Sequence, residues 1–183
     1  MQVFVVIANG FEEMEAVISI DILRRAGLDV KIIGLDKITL IGSHNITIQA
    51  DMILQDCKGE IPDAIVLPGG LPGAENLAMS LELKNLIQNM NDKNKIIAAI
   101  CASPALVLSN INILSGKKVT CYPGLEKNFL PDVKITKEKV VQDGNIITAE
   151  GPFFAFSFVL KIVENLVGKE KANMLKKQMC FKD

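Results

Sequence analysis

The sequence of 183 residues has no tryptophan, one tyrosine and one histidine, His44. A single histidine cannot supply the clustered imidazoles of common zinc sites, and no Cys-x-x-Cys pair is present to replace them. We therefore expect no bound metal.

The chain is large enough to fold without disulfide bonds and its cysteines are far apart in sequence, so we expect reduced thiols. The four cysteines are Cys57, Cys101, Cys121 and Cys180.

An excess of charge of one sign is also missing. Twenty lysines and arginines face 21 aspartates and glutamates, which leaves a net charge of −1. Nucleic acids and acidic membranes attract basic stripes, so we expect neither as a partner. The apolar run at residues 2–8 is far shorter than the ~20 apolar residues of a membrane helix, and it follows no basic segment. We expect a cytoplasmic location.

Apolar, β-branched runs alternate with helix-like segments along the chain. The first two runs flank a helix, and this unit implies parallel strands with a right-handed crossover. No repeat or linker interrupts the alternation. We predict one α/β domain over residues 1–183, a doubly wound, mostly parallel sheet with helices on both faces. The predicted strands are 2–8, 28–35, 63–70, 95–101 and 117–122, with hairpins at 38–50 and 139–151.

Helices are predicted where apolar residues recur every three or four positions. In the first, Gly27 marks the end, and in the second we expect Leu81 on the inner side. The apolar positions of the first helix are Met14, Val17, Ile18, Ile22 and Leu23. The predicted helices lie within residues 9–27 and at 80–91, 103–109, 153–167 and 169–178.

In doubly wound sheets, sites form beyond the carboxyl ends of the strands. Cys101 ends the strand in "AAICASPALVL", and Pro104 opens the next helix. Two interpretations are open. Cys101 is a small core residue, as many cysteines are, or the helix end lowers its pKa and makes it a nucleophilic thiolate.

The acidic segment "EEME" follows the first strand. Glu12 and Glu13 suit the first turn of a helix, where acids complement the dipole. Glu15 lies one turn further, near apolar positions. If Glu15 points inward beside Cys101, burial and a nearby thiolate both raise its pKa, and it can shuttle a proton.

The double glycine of "LPGGLPGAEN" is either a tight turn before a helix or a nest of backbone amides facing an oxyanion. No Gly-Lys-Ser/Thr follows it, and no Gly-x-Gly-x-x-Gly follows the first strand, so we expect no nucleotide cofactor. His44 lies in a predicted hairpin, away from Cys101, which argues against a cysteine protease. Tyr122 either lines the pocket or packs in the core or at the rim, as most tyrosines do.

Together these stretches resemble the ThiJ/PfpI superfamily, in its DJ-one (parkinsonism-associated deglycase) branch. The matching stretches run in order over almost the whole chain at similar spacing. They are "GFEEMEAV", "DILRRAG", "VLPGGLPGAENL", "AAICASPA", "KVTCYP", the Asp143-Gly144 hairpin, "EGP" and the closing "KD".

The resemblance implies a flavodoxin-like three-layer sandwich with a nucleophile elbow at Cys101. It implies Glu15 as a protonated acid hydrogen-bonded to the Cys101 sulfur, and the amides of Gly69, Gly70 and Ala102 as an anion-binding wall. It also implies a homodimer packed partly through the first helix near Met14. Members are described as cofactor-free glyoxalases (glyoxalase III) or protein deglycases that act on methylglyoxal, glyoxal or their early adducts.

Members are also described as oxidative-stress sensors whose cysteine is oxidised to sulfinate, and as chaperones, so this alternative function stays open. A cysteine protease is the least favoured function.

The chain departs from the family pattern at several positions. Tyr122 stands where histidine is usual, which weakens a second proton shuttle, and Glu150 near a usual arginine makes the pocket mouth less attractive to anions. The other departures are Ser103 for glycine, Leu71 for asparagine, and His44 near another usual arginine.

Overall fold

The structure is a computed structural model, and it describes residues 1–180; the closing "KD" lies outside the described residues. Eleven strands are described within this range. They are β1 (Gln2–Ile7), β2 (Asp29–Gly34), β3 (Thr39–Ile41), β4 (Thr47–Gln49), β5 (Met52–Ile53), β6 (Ala64–Leu67), β7 (Ile96–Ile100), β8 (Lys118–Val119), β9 (Lys134–Ile135), β10 (Val140–Asp143) and β11 (Ile146–Ala149).

Six α-helices are described in the same range. They are α1 (Glu13–Arg25), α2 (Gly73–Met79), α3 (Leu81–Asp92), α4 (Ser103–Leu106), α5 (Ala155–Val167) and α6 (Lys169–Gln178). None of them combines the length and the apolar character that crossing a membrane requires.

Seven strands form the central sheet in the order β10-β11-β7-β6-β1-β2-β5. Every pairing is parallel except the β10–β11 hairpin at one edge. The side chains of β1 alternate between two cores, as a strand covered on both faces requires. Val3, Val5 and Ile7 belong to one core, and Phe4 and Val6 to the other. The predicted three-layer α/β sandwich is therefore confirmed.

The helices form the outer two layers. On one face, α1 and α5 pack together and place Leu23 and Phe158 in the first core. On the other face, α3 places Leu83, Ile87 and Met90 in the second core. The prediction that Leu81 faces inward was wrong: it is 73% exposed, because Ser80 caps α3 and Leu81 lies in the open first turn.

Several short elements differ from the sequence prediction. The helix predicted over 103–109 is the four-residue α4 followed by a 3₁₀ turn over Leu108–Ile111. The strand predicted over 117–122 shrinks to β8, which pairs with the unpredicted β9. The unpredicted β5 pairs with β2 at the sheet edge, and α2 precedes the predicted helix. Two-residue strands leave too short a hydrophobic pattern to be recognised.

Candidate active site

Cys101 follows the last residue of β7, at the carboxyl edge of the sheet. Its φ is +64°, a left-handed conformation that residues with a Cβ rarely adopt. Two hydrogen bonds hold this turn: the Cys101 amide donates to the Ala149 carbonyl at 2.9 Å, and the Cys101 carbonyl accepts from the Tyr122 amide at 2.8 Å. The neighbouring strand end and the loop after β8 thus fix a strained backbone, a feature typical of functional sites.

Glu15 lies in the first turn of α1 and is fully buried. Its Oε2 accepts a hydrogen bond from the Gly69 amide at 2.6 Å, and its carboxyl also hydrogen-bonds the Cys101 thiol. Its Oε1 is the one buried side-chain oxygen or nitrogen without a hydrogen-bond partner among residues 1–180. The structure therefore brings Glu15 and Cys101 together.

The double glycine lets the chain pass close to both groups. A Cβ at Gly69 would lie 2.7 Å from the Cys101 Cβ and 3.0 Å from its Sγ, which leaves no room for a side chain. Gly70 has φ +86°, and a Cβ there would lie 2.4 Å from the Glu12 nitrogen. Glycine is needed at both positions for these close approaches.

Two of the three predicted amides reach the sulfur. The amides of Gly70 and Ala102 hydrogen-bond Cys101 and favour its charged form. The Gly69 amide does not, because it donates to Glu15 instead. Of the three amides predicted to face an anion, those of Gly70 and Ala102 therefore reach the sulfur, whereas that of Gly69 positions the acid.

The pKa values correct a second expectation. Burial raises the pKa of Glu15 to about 7, and burial together with the charge of Glu15 raises the pKa of Cys101 to about 12. The predicted lowering by a helix end is wrong, because α4 has only four residues and Cys101 is just 8% exposed. The two groups titrate as a pair. Between these two ionisations the pair shares one proton, and the Glu15 carboxyl and the Cys101 thiol hydrogen-bond each other.

Glu13 is a buried residue with a role that the sequence did not reveal. Its Oε2 contacts His44 Nδ1 at 2.9 Å, and its Oε1 accepts from the His44 amide at 2.6 Å. Burial opposes ionisation, but these hydrogen bonds lower the pKa of Glu13 to about 2, and the same contact raises the pKa of His44. No sequence signal links residues 31 positions apart in this way. His44 thus holds the hairpin on α1, and its ring nitrogen contacts Glu13 and Ser43 rather than Cys101.

The ligand atoms of Glu12, Glu13 and His44 lie within 4.8 Å of one another, a spacing that could hold a metal ion. Glu12 has its own partners, since its Oε1 accepts from the Met14 amide at 3.3 Å and its Oε2 lies 3.4 Å from the Ser43 hydroxyl. The prediction of no metal did not foresee this cluster, whose members hydrogen-bond to each other and to the hairpin.

Tyr122 lines a cavity next to the turn that carries Cys101. The cavity has a volume of about 260 Å³ and borders Glu150, Gly151, Phe153 and Phe154. Glu150 makes an ion pair of 2.7 Å with Lys139. This ion pair offsets the expected repulsion of anions by Glu150. The sequence could not show it, because Lys139 precedes β10 and Glu150 follows β11, and the two meet only when the hairpin forms.

The sequence and the structure are similar to those of characterised proteins. A model of the DJ-1/PfpI family matches residues 1–165. Parkinson disease protein 7 homolog of Danio rerio is 39% identical over 98% of this chain and 96% of its own length. Glutathione-independent glyoxalase DJR-1.2 of Caenorhabditis elegans is 35% identical over 93% of this chain and 90% of its own.

Protein DJ-1 homolog B of Arabidopsis thaliana is 42% identical over 96% of this chain, which spans only 40% of that longer protein. Among solved structures, oxidized Toxoplasma gondii DJ-1 superposes with a TM-score of 0.95 at 36% identity, covering 100% of this chain and 99% of that one.

Proposed function

Since this chain belongs to the DJ-1/PfpI family, we propose that it is a cysteine-dependent, cofactor-free glyoxalase or deglycase that acts on methylglyoxal, glyoxal or their early adducts. The observation that carries the proposal is the buried pair of Cys101 and Glu15 beneath the amides of Gly70 and Ala102. A relative of similar length is itself a glutathione-independent glyoxalase.

The pair supplies the nucleophile. As the Cys101 Sγ attacks the aldehyde carbon, the thiol proton passes to the Glu15 carboxylate, and a carbon–sulfur bond replaces the carbonyl π bond. The aldehyde oxygen gains negative charge, which the Gly70 and Ala102 amides are placed to stabilise. Glu15 then returns its proton to this oxygen, which leaves a neutral hemithioacetal.

The same carboxylate completes the rearrangement. Glu15 takes the proton from the carbon bonded to sulfur, and the electron pair forms an enediolate whose negative charge lies on the former ketone oxygen. The proton of the hemithioacetal hydroxyl moves to this oxygen, and the Glu15 proton is delivered to the carbon that carries it, which gives a 2-hydroxyacyl thioester. Water attacks the thioester, the carbon–sulfur bond breaks, and the thiol regains its proton. The balance is one 2-oxoaldehyde and one water to one 2-hydroxy acid, with no external oxidant. A carboxyl with a pKa of about 7 suits both the acid and the base steps.

The test is lactate formation from methylglyoxal by the wild type, Cys101→Ser and Glu15→Gln. We expect both variants to lose at least 100-fold in kcat/KM, since each removes a group that handles the proton or the carbon. Cys57→Ser is the matched control, because Cys57 is also a buried thiol but lies under a different helix. Equal lactate formation by wild type and Cys101→Ser would refute the proposal.

A second candidate function is oxidation sensing at Cys101. Hydrogen peroxide would convert the Cys101 thiol to sulfenic acid with release of one water, and a second hydrogen peroxide would give the sulfinic acid, which ionises to sulfinate, with release of another water. The specific observation in favour is the arrangement of donors: two amides at the sulfur, and a Glu15 Oε1 that lacks a partner and, when protonated, could donate to a sulfinate oxygen. Intact mass after mild peroxide tests this; oxygen spread evenly over all four cysteines would count against it.

We also propose a homodimer through α1. Met14 and Val17 are 55% and 48% exposed on this helix, and Ile41 and Ile46 of the adjoining hairpin are similarly exposed. Contiguous exposed apolar residues of this kind mark interaction surfaces.

A cytoplasmic location remains a prediction.

A further inference from the structure

Three aromatic residues, Tyr122, Phe153 and Phe154, surround the cavity of about 260 Å³; we name them the aromatic rim. Phe153 is 87% exposed, an unusual exposure for a large apolar ring, and Tyr122 is 49% exposed. The rings of Phe153 and Phe154 meet edge to face, with centroids 5.3 Å apart. The rim thus presents ordered aromatic surface to solvent.

The rim begins next to the proposed nucleophile. The Tyr122 amide donates to the Cys101 carbonyl, and the Cys101 amide donates to Ala149, two residues before Gly151. Gly151 lies against the Tyr122 ring, since a Cβ placed there would be 3.5 Å from the ring edge. The cavity therefore opens at the carboxyl ends of β7 and β11, where ligands of doubly wound sheets bind.

The cavity offers little net charge to a ligand. Glu150 is the only acidic or basic side chain among the lining residues that the structure describes, and Lys139 contacts both of its carboxylate oxygens, at 2.9 and 2.7 Å. The same ammonium lies 5.5 Å from the centre of the Phe154 ring and holds that ring in a cation–π contact. The wall of the cavity is therefore apolar and aromatic, and the charges of Glu150 and Lys139 cancel each other. Such a wall favours an uncharged apolar group.

We propose that the aromatic rim selects 2-oxoaldehydes whose ketone carbon carries an aromatic or other bulky apolar group, in preference to glyoxal and methylglyoxal. This inference rests on the proposed function. With the aldehyde carbon bonded to the Cys101 sulfur, the substituent on the ketone extends into the cavity between Tyr122 and Phe153. Glyoxal has no such substituent and methylglyoxal has one methyl, so neither buries the exposed rings. An aromatic substituent gains edge-to-face contacts as well as burial.

The experiment compares phenylglyoxal with methylglyoxal by measuring mandelate and lactate, each after subtraction of a Cys101→Ser background. In the wild type we expect kcat/KM for phenylglyoxal to exceed that for methylglyoxal by about tenfold. Phe153→Ala should reduce this ratio about tenfold, and Phe153→Tyr should restore it, because the ring carries the effect. Leu81→Ala is the matched control: it removes another strongly exposed apolar side chain, 73% exposed, away from the cavity, and should leave the ratio unchanged.

The outcomes separate the two proposals. If methylglyoxal is converted but phenylglyoxal is not preferred, or if Phe153→Ala leaves the ratio unchanged, the selection by the rim is overturned and the proposed function stands. If neither product depends on Cys101, the proposed function fails and this inference fails with it.

Discussion

The Gly69 amide donates a hydrogen bond of 2.6 Å to the Glu15 carboxylate across 54 positions of sequence. The contact joins the start of α1 to the turn after β6, and the Glu12 amide returns a hydrogen bond of 2.9 Å to the Gly69 carbonyl. Gly69 is therefore held at both of its backbone groups. Because Glu15 is fully buried, this contact fixes the direction of the carboxyl beside Cys101.

The ionisation of the pair predicts how Cys101 reacts. In the wild type, the rate of alkylation by iodoacetamide should rise through a step near pH 7, since the Glu15 pKa is about 7 and its carboxylate then takes up the thiol proton. In Glu15→Gln that step should disappear. Peptide mapping of alkylated Cys101 over pH 5–10 measures both rates. A single step near pH 8.5 in both proteins would contradict the shared proton.

Glu15 should also make stability depend on pH. Its folded pKa of about 7 lies above the unfolded value of 4.5, so its protonated form stabilises the fold below pH 4.5 and this contribution is lost as the pH rises to about 7. Relative to wild type, Glu15→Gln should gain up to about 3 kcal/mol in free energy of unfolding above pH 7. Urea titrations at pH 4 and pH 8 measure the difference, and an equal difference at both would disprove it.

Glu13 should make the stability of the fold depend on pH in the opposite direction. Its folded pKa of about 2 lies below the unfolded 4.5, so its stabilisation is present above pH 4.5 and lost as the pH falls to about 2. Glu13→Gln should therefore destabilise the protein by on the order of 1–2 kcal/mol at pH 6, less than the pKa shift alone implies because His44 is exposed to solvent. The gap to wild type should close towards pH 2 in chemical unfolding. Asp21→Asn, an exposed surface acid on α1, is the control.

A methyl group at Gly69 should disturb the site. Gly69→Ala places a Cβ 2.7 Å from that of Cys101, an overlap that costs about 1–3 kcal/mol and displaces the sulfur. We expect a lower melting temperature and slower alkylation of Cys101. Gly151→Ala is the matched control, since its new Cβ meets nothing closer than 3.5 Å. Equal effects of the two substitutions would show that the close approach is unimportant.

The dimer proposal predicts a change of mass. Met14→Glu places a charge on the exposed apolar face of α1 and should shift the protein from dimer to monomer in sedimentation. Met79→Glu changes an even more exposed methionine on α2 and should leave the mass unchanged. A wild type that sediments as a monomer at all concentrations would rule out this interface.

The layers of the fold were predictable because long apolar strands and the β10–β11 hairpin carry their own periodicity. The face of α1 was only partly predictable: Ile22 and Leu23 are buried, but Met14 and Val17 are exposed and Glu15 is buried in their place. The spacing of apolar residues predicts that a helix has an apolar face. It does not show whether that face packs against the core or is exposed for contact with a partner.

The sequence predicted where the site residues lie in the fold, but it did not predict their pKa values or their hydrogen-bond partners. Strand ends indicated that Cys101, Glu15 and the double glycine lie on one edge of the sheet. The pKa of Cys101 depends on burial, on the charge of Glu15 and on how many amides reach the sulfur, and these depend on tertiary packing. The use of the Gly69 amide by Glu15 and the pairing of Lys139 with Glu150 arise in the same way.

Because β7 lies between β6 and β11, the reactivity of Cys101 should change at a late stage of folding. The Cys101 turn needs the Ala149 carbonyl from the last strand to form, as well as the Gly70 amide from an earlier segment. A chain still emerging from the ribosome without residue 149 lacks one of these supports, so its thiol should behave as an ordinary cysteine. Acquisition of the perturbed reactivity would then report completed assembly of the sheet.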